Sequence, residues 1–312
     1  MMSDMTILDR KYDICLSMTW YPDQPHRISG HVFEIIDYFV ILSTKLNVCI
    51  LFGDTFKCWD EFKLVITRKY SLSDDQLDSI KNSTYFTNLP RFIKGNNILF
   101  VDGDLHRLKR QGTKLIFDRV YSFKCSRFDT LYDVPYDVTI LQDDRVYDLC
   151  NPEDTKLSIN YKKKINFDIL KQVDTCTEST GLIYATINCR QISDTDLLQV
   201  ADSYEFEKYV VITEQCRSIP DDRFEFTVPP LQDMFSRFNT YIYTPTRGMF
   251  DGSPRLPAEC KHYDRDVIYH NIDNDYLDHD TGLKNRMLDI ESDFDSIRLS
   301  ESDDIINILE AT

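Results

Sequence analysis

The N-terminal part of the chain alternates between strand-like apolar runs and an amphipathic helix, and this alternation constrains the fold more than any other feature. The run YDICLSM (12–18) has the length of a strand, and NVCILFGD (47–54) is a second such run. Between them, GHVFEIIDYFVILSTKL (30–46) carries apolar residues at helical spacing. A strand, a helix and a strand within about 40 residues form a βαβ unit, which implies a parallel sheet and a right-handed crossover. The sequence therefore predicts an α/β fold.

The alternation continues along the chain and then restarts. FKLVITRK (62–69) is predicted to be a strand, SDDQLDSIKNST (73–84) a helix, and NNILFVDGD (96–104) a strand that ends in Asp-Gly-Asp. The polar segment NPEDTKLSINYKKK (151–164) interrupts the pattern and is typical of a linker. After it, TGLIYATINCR (180–190) opens a second series of strands and helices. In that series LQDMFSRF (231–238) and SPRLPAECKHY (253–263) are predicted helices, and the tail 281–312 carries two more, LKNRMLDI and DDIINILEA.

A chain of 312 residues is long enough for two domains of ordinary size. We predict a Rossmann-like acceptor-binding domain over residues 1–172 and a Rossmann-like donor-binding domain over 173–280, facing each other across a cleft. The helices predicted in 281–312 can pack back on the first domain. Ligands of such sheets bind beyond the carboxyl ends of the strands, and a cleft between two domains is the default site.

The charge of the chain restricts its partners. A net charge of −16 by itself argues against a nucleic-acid partner. However, residues 264–312 contain 14 acidic and 4 basic residues, so the rest of the chain carries only −6. Within that remainder lie two basic runs, HRLKRQGTK (106–114) and YKKKI (161–165). Each run is interpreted either as a solvated basic face or as a contact surface for phosphates.

Sequence patterns argue against a membrane protein, a secreted protein and a metal-binding protein. The sequence has no run of about 18 apolar residues, so no transmembrane helix and no membrane partner are expected. The start MMSDMTILDRKYD lacks a basic segment followed by an apolar one, which predicts no signal peptide and a cytoplasmic location. The nine cysteines are scattered singly, which predicts free thiols rather than disulfides. No His/Cys cluster has zinc spacing, so no metal site is expected.

The stretch FDGSPRLPAEC (250–260) is the first candidate site. Turn and cap residues precede Pro254, so a helix is predicted to begin here with Arg255 and Glu259 on one face. The free N–H groups of a helix start favour an anion, and a guanidinium matches phosphate oxygens. A carboxylate one turn deeper in the helix can accept hydrogen bonds from the hydroxyls of a ribose. A nucleotide diphosphate would satisfy this arrangement, and the alternative is an ordinary solvated Arg/Glu pair.

Further polar side chains are predicted at the carboxyl ends of strands. Arg190 ends the strand run TGLIYATINCR, and Arg247 follows the strand run NTYIYTPT. In the first half, Asp102 and Asp104 form the Asp-Gly-Asp turn. Either aspartate can act as a general base, or it can hydrogen-bond its own backbone in the turn.

In these residues the chain resembles the bacteriophage DNA-modifying glycosyltransferases of the GT-B fold, which transfer sugars to hydroxymethylated bases. In that family an arginine, and a glutamate about one turn later, open a donor-domain helix and bind the diphosphate and the ribose of the UDP-sugar. Arg255 and Glu259 match this pair with one more residue between them, and Arg190 matches an arginine after the first donor-domain strand. The family's catalytic aspartate ends an acceptor-domain strand, where FVD places Asp102.

The resemblance implies an inverting transferase with a UDP-sugar donor, no tightly bound cofactor and no obligatory metal. Asp102 or Asp104 would take the proton of the acceptor hydroxyl, while arginines would stabilise the leaving diphosphate. The acceptor would be a hydroxymethylated pyrimidine of phage DNA. The residues expected to bind the donor are Arg190, Arg247, Ser253, Arg255 and Glu259, and those expected to bind the acceptor are Gly30, His31, His106, Arg107, Lys109 and Arg110.

Two alternatives stay open at this point. The same fold can act on a carbohydrate or another small acceptor, which the charge of −16 favours. The chain can also be a non-catalytic nucleotide-binding module. The basic run 106–114 favours DNA over a small acceptor. His31 can instead be a capping or otherwise satisfied histidine rather than a catalytic one.

Overall fold

The computed structural model describes residues 11–18, 30–52, 56–86, 92–102, 114–124, 137–141, 158–185, 192–213, 215, 217, 219–228, 233–244, 255–270, 294–301, 303 and 305–311. The chain divides into two compact units. Unit 1 comprises Met1–Leu170 together with Ser296–Thr312, and unit 2 is Lys171–Asp295.

Unit 1 contains a sheet whose seven described strands are all parallel. The spatial order is β3-β2-β1-β4-β5-β6-β7. The chain runs outward from β1 to one edge and then continues on the other side of β1, so a topological switch point lies between β1 and β4. At the carboxyl ends of these two strands Met18 is paired with Asp102. The strands are β1 (Lys11–Met18), β2 (Val48–Phe52), β3 (Thr84–Tyr85), β4 (Phe92–Asp102), β5 (Lys114–Lys124), β6 (Val138–Leu141) and β7 (Ser158–Asn160).

Three helices of unit 1 lie between the first strands: α1 (Gly30–Leu42), α2 (Trp59–Lys69) and α3 (Asp74–Ser83). The strand predicted at 62–69 is wrong, because these residues belong to α2. Phe62 and Ile66 are buried four residues apart, whereas Leu64 between them is 53% exposed, which is helical and not alternating burial. Acidic residues in the first turn and basic residues in the last turn complement the helix dipole.

The predicted linker over 151–164 is also partly wrong, because it contains β7 and continues into an ordered segment of unit 1. This segment runs through a short 3₁₀ turn at Phe167–Ile169. The Ile165 backbone N–H donates to the Ile297 carbonyl at 2.8 Å, and the Leu299 N–H donates to the Ile165 carbonyl at 2.9 Å. The two parts of unit 1 are therefore joined by backbone hydrogen bonds.

The C-terminal part of unit 1 also contacts the sheet. It comprises the 3₁₀ turn Phe294–Ile297, which starts in unit 2, and the helix α6 (Ile305–Ala311). The Leu309 carbonyl accepts from Asn97 Nδ2 at 3.4 Å and from the Tyr121 hydroxyl at 3.5 Å. The helix expected at LKNRMLDI lies outside the described residues.

Unit 2 repeats the topology of unit 1 on a smaller scale. Its described strands are parallel in the order β10-β9-β8-β11-β12, so its switch point lies between β8 and β11. The helix predicted at 231–238 is wrong for its described residues, 233–238, which form only a 3₁₀ turn at Met234–Ser236, preceded by Asp233 in a left-handed conformation with φ of 49°. The elements are β8 (Thr180–Tyr184), α4 (Asp194–Ser203), β9 (Lys208–Ile212), β10 (Phe224–Thr227), β11 (Thr240–Tyr243), α5 (Arg255–His262) and β12 (Asp266–Tyr269).

The predicted α/β class with two Rossmann-like parallel sheets is confirmed. Five described cysteines are free, as predicted, including Cys15 and Cys49 on paired positions of β1 and β2. None of the helices in the described ranges is long and apolar enough to cross a membrane.

Candidate functional site

The first candidate site lies on α5 in unit 2. This helix follows β11, one of the two strands that flank the switch point, so its first turn is on the side of the sheet where β11 ends. In doubly wound sheets this edge is where ligands bind. The sequence thus places a helix start, with Arg255 as its first residue, at the ligand-binding edge of unit 2.

Arg255 and Glu259 form an ion pair on this helix, in which Arg255 Nε donates to Glu259 Oε1. Both residues are buried, with exposed fractions of 6% and 1%. The alternative of an ordinary solvated pair is therefore wrong. Removing two charges from water is costly, so a desolvated ion pair at this edge of the sheet makes Arg255 and Glu259 candidates for a functional site.

Tyr263 links this pair to the start of unit 2. Its hydroxyl donates to the Lys171 carbonyl at 2.9 Å, and its backbone N–H donates to the Glu259 carbonyl at 3.0 Å. Burial, and then the negative charge of Glu259, raise the pKa of Tyr263, whereas Arg255 acts in the opposite direction. The phenol therefore remains protonated and continues to donate.

The structure describes only part of the predicted donor and acceptor sites. Arg255 and Glu259 are brought together as predicted, and Gly30 and His31 open α1. Asp102 is the last residue of β4, beside the switch point of unit 1, but its side chain lies outside the described part. The remaining predicted residues lie outside the described ranges: Asp104, His106, Arg107, Lys109, Arg110, Arg190, Arg247 and Ser253.

A second candidate site lies at the start of α1 in unit 1 and includes two residues that the sequence analysis did not single out. His31 Nδ1 is 3.2 Å from Glu34 Oε2, and Lys163 Nζ is 3.6 Å from the same oxygen. The side chains of Glu34 and Lys163 are 0% and 7% exposed, whereas that of His31 is 20% exposed. An imidazole that reaches solvent is thus backed by a buried carboxylate and a buried ammonium.

The other ionisable side chains of α1 also have identified neighbours. Asp37 is buried, and its Oδ1 accepts from the Tyr70 hydroxyl at 2.9 Å. The same hydroxyl lies 2.9 Å from the Phe33 carbonyl. Burial, followed by the negative charge of Glu34, raises the pKa of Tyr38. The face of α1 that packs into unit 1 therefore carries a polar cluster rather than apolar side chains alone.

One signal in the sequence could have identified this cluster. Glu34 and Asp37 stand inside VFEIIDYFVIL, where their neighbours in the chain are apolar, and carboxylates are rarely buried without a partner. The partner was present in the basic run YKKKI, which includes Lys163. No group of three or more His, Cys, Asp or Glu side chains within the described residues is arranged to hold a metal ion.

Comparisons with known proteins give weak structural similarities. No protein-family model matches the chain, and no curated protein sequence matches it. Among solved structures, the apo form of the lipopolysaccharide outer core galactosyltransferase WaaB is similar at 12% identity and a TM-score of 0.38, covering 96% of this chain and 93% of that one. Acinetobacter baumannii MurG is similar at 9% identity and a TM-score of 0.30, covering 96% of this chain and all of that one (100%). Because scores this low carry no argument, function is argued below from the residues of this chain.

Proposed function

We propose that this protein is a glycosyltransferase of the GT-B type that transfers a sugar from a UDP-sugar bound by unit 2. The observation that supports this most is the buried Arg255–Glu259 pair on the helix that follows β11. A nucleotide diphosphate fits this pair because its phosphates are anionic and its ribose offers two adjacent hydroxyls to a carboxylate.

The donor role can coexist with the ion pair. A guanidinium has five N–H donors in a fixed plane, so Arg255 can hold Glu259 through Nε and reach phosphate oxygens through its other nitrogens. The ion pair fixes the orientation of both side chains before the ligand arrives, which lowers the entropic cost of binding. Arg190, Arg247 and Ser253 complete the proposed donor site.

The proposed reaction is a single displacement. The oxygen of the acceptor hydroxyl forms a bond to the anomeric carbon while a general base takes its proton. The bond between the anomeric carbon and the phosphate oxygen breaks, and its electron pair leaves with the diphosphate. Arginines at the donor site stabilise that charge, so inversion proceeds without an obligatory metal. Asp102, or Asp104 beyond it, is the base that the sequence predicts.

Two acceptors are carried forward because a different observation favours each. The basic run with His106, Arg107, Lys109 and Arg110 favours a hydroxymethylated pyrimidine in DNA, whose base would be flipped out of the stack to be modified. The net charge of −16 favours a carbohydrate or other small acceptor.

The donor is tested by thermal shift and by transfer. UDP-glucose and other UDP-sugars at about 100 times their dissociation constant should stabilise the protein by about 2.7 kcal/mol. Glu259→Gln should abolish this stabilisation, whereas Glu225→Gln, which alters a more exposed ion pair of unit 2, should preserve it. If no UDP-sugar stabilises the protein, or if Glu259→Gln binds normally, the donor site is elsewhere.

The acceptor is tested with duplex DNA that carries hydroxymethylated pyrimidines and, in parallel, with free saccharides. An added hexose or pentose mass on the base supports the DNA acceptor. Addition of a sugar only to saccharides supports the carbohydrate acceptor. If the protein hydrolyses the UDP-sugar when no acceptor is present, it is not a purely non-catalytic nucleotide-binding module.

A further inference from the structure

We infer that unit 2 contains a second binding site, which takes a small phosphate monoester of a sugar. The site is a cavity of about 540 Å³, a volume typical of small-molecule sites. This inference goes beyond the proposed function and does not depend on it, because its residues are not those of the proposed donor site. Five polar residues line the cavity: Thr240, Lys261, Asp264, Arg265 and Asp266.

The cavity lies where β11 and β12 begin. Thr240 and Asp266 are the first residues of these strands and are paired with each other in the sheet. Lys261 is in the last turn of α5, whereas Arg255 is the first residue of that helix. A helix of eight residues is about 12 Å long, so Lys261 and Arg255 are near opposite ends of α5. We therefore expect that a ligand in this cavity does not compete with a nucleotide at the proposed donor site.

Arg265 is a buried cation in this cavity. It is 7% exposed, and arginine is rarely buried unless it is paired. Its Nε donates to the Phe235 carbonyl and its Nη2 to the Asp174 carbonyl, each at 3.0 Å. Across the described part of the chain, no aspartate or glutamate forms a salt bridge with Arg265. A buried charge without an opposite charge is costly, and a bound anion would offset that cost.

The backbone at the end of α5 fixes the position of this arginine. Asp264 has a left-handed conformation with φ of 56°, and its N–H donates to the Lys261 carbonyl at 3.3 Å. The Arg265 N–H donates to the Cys260 carbonyl at 2.8 Å, which completes a Schellman cap. The two carbonyls that accept from the side chain then fix the plane of the guanidinium. A guanidinium has five N–H donors, so three of them are left for a ligand.

The charges of the cavity select the class of ligand. A guanidinium matches phosphate oxygens, and Lys261, whose Nζ lies 5.6 Å from the centre of the Phe294 ring, adds a second cation. A phosphate monoester carries a charge of about −1.5 to −2 at pH 7 and three acceptor oxygens. Asp264 and Asp266 are exposed and, when ionised, only accept hydrogen bonds, so the rest of the ligand should offer hydroxyl groups. A sugar phosphate has both parts, whereas a long polyanion would meet the like charge of the two aspartates.

Isothermal titration calorimetry of the full-length protein tests the site with glucose 6-phosphate as the probe. Glucose and inorganic phosphate each offer only one part of this probe, so each should bind at least about tenfold more weakly. If none of the three binds, Arg265 only links two backbone carbonyls and the inference is overturned. Inorganic phosphate that binds as tightly as the probe would overturn the assignment of a sugar.

Titrations with and without saturating UDP separate this site from the proposed donor site. The affinity for glucose 6-phosphate should be the same in both. A probe that UDP displaces is bound at the donor site, which would overturn the second site. Failure of every UDP-sugar to bind would overturn the proposed function, whereas binding of glucose 6-phosphate would still support the second site.

Substitutions in the cavity identify the residues that bind. Arg265→Lys keeps the charge but not the planar fork, and it should abolish binding of the probe. Because this change also disturbs the two carbonyl contacts, two exposed residues supply an independent test. Lys261→Met and Asp266→Asn should each weaken binding by about tenfold, whereas Lys208→Met, which removes a lysine of unit 2 outside the cavity, should not. Wild-type affinity in both Lys261→Met and Asp266→Asn would overturn the site.

Hydrogen exchange with mass spectrometry locates the probe without any substitution. Amides of residues 261–268 should exchange more slowly when glucose 6-phosphate is bound, because these residues end α5 and form the start of β12. Amides of α4 serve as the control within unit 2. Unchanged exchange over 261–268 at saturating probe would overturn the assignment.

Discussion

Replacing Arg255 by methionine removes the cation from a pair that is almost fully buried. Glu259, which is 1% exposed, would then be a buried carboxylate that no longer has the Arg255 guanidinium beside it. Methionine keeps a side chain of similar length, so the change removes mainly the charge and the hydrogen bond from Nε to Oε1.

The size of the effect follows from the burial. Breaking a buried ion pair by removing one partner typically costs about 3–5 kcal/mol, whereas breaking an exposed pair costs about 0.2–1 kcal/mol. Arg237 and Glu225, which pair at 35% and 33% exposure in the same unit, supply the exposed comparison. We therefore expect Arg255→Met to lower the free energy of opening of unit 2 by about 3–5 kcal/mol, and Arg237→Met by less than about 1 kcal/mol.

Native-state hydrogen exchange with mass spectrometry measures this effect unit by unit in the full-length protein. Amides of β8 and β11 report on unit 2, and those of β1 and β4 serve as an internal control in unit 1. A loss of about 3 kcal/mol corresponds to exchange that is roughly 150-fold faster, since each tenfold equals about 1.36 kcal/mol. The double variant Arg255→Met/Glu259→Leu, which removes both charges, should recover most of the loss.

Two results would refute this reasoning. If exchange in Arg255→Met is no faster than in Arg237→Met, Glu259 has access to water or to another cation when Arg255 is absent. If the double variant is as unstable as the single one, the loss comes from packing of the guanidinium rather than from the charge of Glu259.

Three further predictions concern buried polar groups elsewhere. Tyr70→Phe removes the hydrogen bond to the Asp37 carboxylate and should lower the free energy of urea unfolding of unit 1 by about 1.5–3 kcal/mol; a loss below about 0.5 kcal/mol would contradict the buried contact. Burial raises the pKa of the Cys15 thiol, so iodoacetamide should label exposed Cys58 in the native protein and reach Cys15 only after unfolding, which peptide mass mapping can check. Burial lowers the pKa of His270, so the unfolded state binds more protons than the native state below about pH 6.5. Stability should therefore fall as the pH drops through this range, and a His270→Gln variant whose urea midpoint falls just as steeply would contradict the assignment.

The sequence predicts the sheets well because their strands are buried on both faces. Runs such as YDICLSM and NVCILFGD have apolar residues on both sides of the strand, which is the signature of a parallel sheet covered on both faces. These runs became β1 and β2 with small shifts at their ends. Buried parallel strands leave few alternatives for such sequences, so the α/β class and the parallel direction of the strands follow, whereas the strand order does not.

The prediction failed where the period of the apolar residues is ambiguous. In FKLVITRK the residues Phe62, Leu64 and Ile66 alternate, which favours a strand, but Phe62 and Ile66 also share one helical face. Tertiary packing selects the helix and leaves Leu64 in solvent. Within the described residues 233–238, Asp233 has a left-handed backbone and only one 3₁₀ turn follows it. The sequence pattern around Asp233 did not predict this left-handed conformation.

The sequence predicts one of the two ion pairs at the candidate sites and not the other. Arg255 and Glu259 are four residues apart, so their contact follows from local helical geometry and the sequence predicts it. Lys163 and Glu34 are distant in the chain and meet only in the folded unit, so no local spacing could predict their ion pair. The burial of both pairs is also a tertiary property, which the sequence analysis did not foresee.

Unit 1 is discontinuous, and this has a consequence for protein synthesis. The ribosome makes β1 to β7 first, then the whole of unit 2 over Lys171–Asp295, and only afterwards α6. At about 5–20 residues per second this interval lasts roughly 6–25 s. Until α6 emerges, Asn97 and Tyr121 lack the Leu309 carbonyl that they contact in the finished protein. The nascent chain therefore carries an incomplete first unit during this interval. The second unit is a continuous stretch and can fold before α6 is made. Throughout that time the surface of unit 1 that α6 later covers is accessible to chaperones.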